Sequence, residues 1–236
     1  MALLEISCFS VESAILAARA GADRIELCNE QSEGGTTPPA DWIAQVKAAV
    51  DTPMFVMIRP RGGAFQVNDA EFETMKASID AFKNQVAGFV FGILDLDDTV
   101  DIARTAELVQ RAKPLPCTFH KAFDQTPNLL AALEDVVRTG ISFVLTSGGA
   151  PNALAGVQPL RQLVTAARNR VTILTAGGVR LNNLAQIRQS SGAKAFHSSA
   201  LDRGSLLPNV EDIRQMKRML SVEVADSAAA DEGSQE

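Results

Sequence analysis

Short apolar runs, each ending in a polar residue, recur along the chain, and between them lie longer segments with apolar positions at helical spacing. The runs predict eight strands: Leu3 to Cys8, Arg24 to Cys28, Met54 to Arg59, Gly88 to Leu94, Leu115 to His120, Ser142 to Thr146, Val171 to Ala176 and Lys194 to His197. GFVFGIL at 88–94 is almost wholly apolar, as expected of a strand covered on both faces. The helical patterns fall at Ser10–Ala22, Asp41–Val50, Asn68–Asn84, Val100–Ala112, Pro127–Thr139, Asn152–Arg168, Leu181–Ser190 and Val210–Leu220. Ser10 is placed to cap the first of these, although no acidic residue stands at its third position, and Gly21 suits its end.

Strand and helix alternating eight times predict an α/β fold, a single-domain TIM (β/α)8 barrel over residues 1–222. A doubly wound open sheet is the competing architecture. It would call for a glycine-rich phosphate loop after the first strand, where Cys8-Phe9-Ser10 stands instead. Residues 223–236, small, polar and acidic, are expected to form a disordered tail.

In such a barrel the strand C-termini converge on one surface, so the polar residues closing the runs gain meaning. They are Glu5, Glu26, Arg59, His120 and His197, and the last two are the only histidines of the chain. Alternate side chains share a face, so Glu5 goes with Ser7, Glu26 with Cys28, Arg59 with Met57 and His120 with Thr118. An ionised group in a barrel lumen must be paired or hydrated. These five residues are therefore candidates for a polar pocket, catalytic or simply structural. Glu5 and Glu26 stand on neighbouring strands whose axes are about 4.8 Å apart. Their carboxylates could then take the spacing of about 5 Å that a retaining glycosidase uses, or share Arg59.

Glycine and serine groups close strands six to eight: Ser147-Gly148, Gly177-Gly178 and Ser198-Ser199. Together with Arg61 they are candidates for anion binding, since many barrels hold a phosphate on the loops after strands seven and eight. Lys121 has the wrong parity to join His120 inside a strand, which argues against a Schiff-base aldolase. Met54 and Met57 read as core. Three cysteines, Cys8, Cys28 and Cys117, are widely spaced without a CxxC and read as free thiols of a reducing cytosol. Cys8 and Cys28 close adjacent strands and are candidate ligands for copper(I), which favours soft donors. Parity opposes that pairing, because it turns Cys28 inward and Cys8 outward.

Composition narrows the partners. The net charge of -6 argues against nucleic acid and against a polybasic membrane contact. No apolar run approaches the roughly 18 residues of a membrane span. MALLEISC enters a strand pattern directly, so no secretory signal is expected and the location is expected to be cytoplasmic.

Several stretches, LLEISC, GADRIELC, SEGGTTP, FVMIRPRGGAF, TFHKAFD, VLTSGG, AGGV and FHSSA, occur in the order found in the copper homeostasis protein CutC family. The chain resembles that family over roughly residues 1–200. The resemblance implies a cytoplasmic TIM barrel, a homodimer or homotetramer, named for copper tolerance, with copper binding through cysteines and no established reaction. Three positions depart from the family pattern: Ser7 and Ser198 stand where members carry cysteine, and Ala64 follows RPRGG where aspartate is usual. The polar pocket fits the pattern better than the thiols do.

Two functions therefore stand side by side. One is a copper homeostasis protein binding copper(I). The other is acid–base chemistry on a small anionic or phosphorylated sugar-like ligand held by the Glu-Arg-His pocket, with Arg59 as the anion clamp. An oligomeric scaffold is a third expectation.

Overall fold

The structure, a computed structural model, describes residues 2–202 and 204–222. The expected tail at 223–236 lies outside the described residues. The strands are β1 (Leu3–Cys8), β2 (Arg24–Leu27), β3 (Met54–Met57), β4 (Gly88–Phe91), β5 (Cys117–Phe119), β6 (Phe143–Thr146), β7 (Thr172–Thr175) and β8 (Ala195–Ser198). They pair in parallel in sequence order, and β8 returns to β1, closing an eight-stranded barrel. The helices are α1 (Val11–Arg19), α2 (Ala40–Ala49), α3 (Asp69–Phe82), α4 (Ile102–Ala112), α5 (Leu129–Thr139), α6 (Val157–Ala167), α7 (Leu184–Ser191) and α8 (Val210–Ser221). No helix among the described residues is long and apolar enough to cross a membrane.

Local chemistry explains most boundaries. Ser10 caps α1 as expected, and Ser13 replaces the missing acidic residue: its hydroxyl accepts from the Ser10 amide while Ser10 Oγ accepts from the Ser13 amide. Helix α6 starts at Val157 rather than Asn152, because Asn152 Oδ1 accepts from the Ala155 amide and holds a turn there. Helix α7 starts at Leu184 rather than Leu181, since Asn183 Oδ1 accepts from the Arg180 amide. Strands β3 and β5 end before Arg59 and His120. Both residues therefore belong to the loops at the barrel mouth.

The two faces of the wall bury different sets. Leu4, Ile6, Cys8, Ile25, Leu27, Val56, Phe89, Phe91, Phe119, Val144 and Phe196 pack outward under the helices. The lumen holds Cys28, Phe55, Met57 and Val90 on one side and Leu145, Leu174, Ala176 and Ala195 on the other. Register then decides which polar side chains meet. Glu5 pairs with Arg24 on β2 and with His197 on β8, and Ser7 pairs with Glu26. Closure of the barrel thus brings residues 5 and 197 side by side.

Candidate active site

Below the mouth lies a fully buried ionic group. Glu5 has no exposed surface, and its two oxygens are both engaged. Oε2 accepts from Arg24 Nε, and Oε1 lies 2.7 Å from His197 Nδ1. The Arg24 guanidinium sits in the corner made by the rings of Phe55 and Phe143, which stand at 83° to each other, with its carbon 3.9 and 4.2 Å from their centroids. On its other edge His197 brings Nε2 to 3.8 Å from Glu26 Oε2. Glu26 Oε1 is buried with no partner among the described residues.

These contacts set the protonation states. Burial pushes Glu5 up, but Arg24 and His197 together outweigh it and hold its carboxyl below the usual range. Burial raises Glu26 to about 7, with His197 opposing and the Glu5 charge adding. Burial favours neutral His197, yet Glu26 and Glu5 raise it above its ordinary value. Glu26 and His197 are therefore an electrostatically linked pair, each favouring the charged form of the other across 3.8 Å.

Above this floor opens a cavity of about 390 Å³, into which Glu26 and His197 face along with Ser7, Met57 and Leu145. His120 forms part of the opposite wall. Its Nδ1 accepts from the Ala122 amide at 3.2 Å, its ring packs on Phe65, and Gly92 leaves it room. A Cβ at Gly92 would stand 2.5 Å from His120 Nδ1. Burial, with Arg59 nearby, pushes His120 down to about 3, so the ring is neutral. Arg59 donates from Nη1 to the carbonyls of Glu33 and Gly35 and from Nη2 to that of Gly63. It ties the β2–α2 and β3–α3 loops together at the rim.

Arg180 supplies a cationic edge. Its Nη1 donates to Val179 O and Ser198 Oγ and its Nη2 to Ser199 Oγ at 3.0 Å. Three of its five N–H groups are used in this way, which leaves two for a ligand. Gly177 and Gly178, both with positive φ (93° and 71°), bring the backbone up beside it.

The sequence-derived candidates divide accordingly. Glu26, Arg59, His120, His197, Gly177, Gly178, Ser198 and Ser199 line one cavity. Glu5 and Glu26 do bring carboxylate oxygens within 4.8 Å of each other, the expected spacing, but Glu5 lies beneath the cavity with both oxygens taken by Arg24 and His197, so it is not free to act as a second catalytic carboxylate. Arg59 is not shared by the glutamates, because the loop carbonyls hold it. Arg61 points elsewhere: it pairs with Glu71 and donates to Gly62, Ala64 and Gln66 carbonyls. Ser147 and Gly148 are not an anion site either, since the protein's own Asp124 fills that position. The Asp124 carboxylate accepts from the amides of Ser147 and Gly149 and from the Ser147 and Thr146 hydroxyls. Gly148 N–H donates to Thr146 Oγ1. Ser198 Oγ is saturated by Val179 O, the Ala200 amide and Arg180, so it orients Arg180 instead of facing a ligand.

Cys8 and Cys28 do not converge. Cys8 belongs to the apolar layer under the helices and Cys28 to the lumen, on opposite sides of the wall, as parity requires. Burial raises all three thiols, Cys117 to about 12 and Cys8 and Cys28 well above the ordinary value, so none is a thiolate at neutral pH. Ellman's reagent is expected to label none of the three in the native protein and all three in denaturant; fast labelling of native protein would contradict this.

Three contributors were missed in the sequence. Arg24 stands two residues before Glu26, so the parity already applied to Cys28 also turns it inward. Arg180 follows the Gly177-Gly178 pair. Lys121, set aside on strand parity, lines the cavity because residues 121–125 form a 3-10 turn to which strand alternation does not apply.

The CutC family model matches residues 2–202. A human relative named copper homeostasis protein cutC homolog is 46% identical over 199 residues, 84% of this chain and 73% of its own length. A CutC protein of Salmonella enteritidis is 40% identical over 225 residues, 95% of this chain and 89% of its own. The crystal structure of CutC from Streptococcus agalactiae superposes with a TM-score of 0.79 at 30% identity, covering 84% of this chain and 99% of that one. Deoxyribose phosphate aldolase from Aeropyrum pernix shares the fold alone: its TM-score is 0.64 at 12% identity, with 92% and 90% covered. With the family model spanning most of the sequence and these relatives aligned along it, the chain belongs to the CutC family.

Proposed function

We propose that the barrel mouth of this CutC protein binds a small anion and carries out acid–base chemistry on it. The single observation behind this reading is His197, held by Glu5 and reaching Glu26 at the floor of a cavity whose rim carries Arg180. Glu26, raised to about 7, accepts or gives a proton near neutral pH, which suits a general acid–base group. Arg180, Ser199 and the Gly177-Gly178 backbone offer donors for a phosphate or carboxylate. Arg59 shapes the mouth by holding two loops.

Calorimetric titration with inorganic phosphate tests the anion site. Arg180→Ala is expected to weaken binding about 10- to 100-fold, the value of one or two hydrogen bonds to a charged group. Arg61→Ala is expected to bind as wild type. Equal loss in both variants, or in neither, overturns the assignment of the anion to Arg180.

The copper homeostasis role in the relatives' names comes to this chain with the family, but its side chains do not fit a copper(I) centre. Soft thiolates select that ion, and the three thiols here are buried, protonated and apart. The one cluster of three potential ligands among the described residues, Glu5, Glu26 and His197, has ligand atoms within 4.8 Å of one another but offers hard oxygens and one nitrogen. Glu5 is, in addition, held by Arg24. An anaerobic copper(I) titration against a competing chelator is expected to give the same weak uptake for wild type and Cys28→Ser. Tight stoichiometric uptake lost in the variant would restore the cysteine site.

A further inference from the structure

We infer that His120 is a neutral hydrogen-bond donor to a substrate carbonyl oxygen, and that the reaction is proton abstraction next to that carbonyl on a small phosphorylated hydroxyaldehyde or hydroxyketone. This rests on reading the mouth as an anion-holding acid–base site, and adds to it the reaction type and substrate class.

The tautomer follows from geometry. The Ala122 amide donates to His120 Nδ1, so that nitrogen carries a lone pair and not a proton. A neutral imidazole bears its one hydrogen on the other nitrogen, here Nε2. His120 is 4% exposed, and its Nε2 has no hydrogen-bond partner among the described residues. A buried N–H without an acceptor is uncommon, and this one belongs to a residue lining the cavity. The ring is fixed in place by Phe65, by Phe119 and by the Gly92 backbone that no side chain could replace. The low basicity of the ring, with Arg59 close by, keeps it a donor and not a cation. Glu26 lines the same cavity, with an unpartnered Oε1 of its own.

A neutral N–H donor and a carboxylate base lining one pocket match what enolisation requires. Glu26 takes the proton from the carbon beside the carbonyl. The C–H electron pair becomes the C=C bond, and the carbonyl π pair moves onto oxygen, where His120 Nε2–H stabilises it. Return of the proton to the former carbonyl carbon, as the hydroxyl proton of the other carbon passes to the first oxygen and its C–O bond becomes the new carbonyl, completes an isomerisation. No electrons leave the substrate and no co-reactant is needed. Arg180 and Ser199 would hold the phosphate.

The test compares phosphoglycolohydroxamate, a planar mimic of an enediolate beside a phosphate, with inorganic phosphate, both by calorimetry. The wild type is expected to bind the mimic at least about 100-fold more tightly than phosphate, as transition-state analogues exceed ground-state ligands. His120→Asn, whose side-chain oxygen can still accept from the Ala122 amide, is expected to reduce that ratio below about 10-fold while leaving phosphate binding unchanged. A second measurement needs no variant: the His120 Nε2–H proton resonance should move downfield with the mimic and stay with phosphate. If phosphate does not bind, the anion site itself fails. If phosphate binds and the mimic gains nothing, or gains as much in His120→Asn, the role of His120 is overturned while the anion site stands.

Discussion

Replacing Arg24 with methionine is expected to cost the fold about 3–5 kcal/mol, the typical penalty for stripping one partner from a buried ion pair. Arg24 is the cation closest to the fully buried Glu5, and the substitution would leave that carboxylate with His197 alone. It would also empty the space between the Phe55 and Phe143 rings of its guanidinium. Adding Glu5→Gln to Arg24→Met removes the stranded charge, and the pair is expected to recover most of the loss. Urea unfolding of the two single variants and the double variant measures this coupling directly. An Arg24→Met midpoint close to wild type would show that the lumen hydrates Glu5 and that the ion pair contributes little.

The second large effect is on pH dependence. Glu26 is raised to about 7 in the folded protein against 4.5 for the free group. A raised carboxyl contributes stability that is fully present below 4.5 and lost as the pH rises through the folded value near 7. His197 is also raised, so its contribution is present below 6.5 and likewise falls as the pH climbs. Glu5 acts in the opposite sense: held below 4.5, it contributes above that value and its share is lost toward acid. Stability should therefore peak on the acid side of neutrality and decline between pH 5 and pH 7 by on the order of 2–3 kcal/mol. Glu26→Gln removes the Glu26 share and also the attraction that raises His197. Its stability is expected to be nearly flat over the same interval. A wild type as stable at pH 8 as at pH 5 would mean that Glu26 is ionised in the fold without cost.

Much of this architecture is legible in the apolar pattern. Eight short apolar runs separated by helical segments leave few alternatives to a parallel barrel, because each strand must be covered on both faces. Period-two alternation also separates Cys8 from Cys28 correctly, since it depends only on covalent geometry along one strand. Alternation fails where the strand stops. Arg59, His120 and Lys121 lie beyond the last ladder positions of β3 and β5, and loop or 3-10 geometry aims them.

Within the site the limit is different. The sequence alone determined that Glu5, Glu26, Arg59, His120 and His197 would gather at one end of a barrel. It did so because strand ends are fixed by the pattern of apolar residues. Only the tertiary structure decided which of them touch. The register of β1 between β2 and β8 gave Glu5 to Arg24 and His197, and so placed it beneath the cavity. Loop carbonyls took Arg59, and the carboxylate of Asp124 took the amides after β6. Pairing of this kind depends on distances between segments as far apart as residues 5 and 197. Those distances are set by closure of the whole barrel, and no local stretch of sequence encodes them.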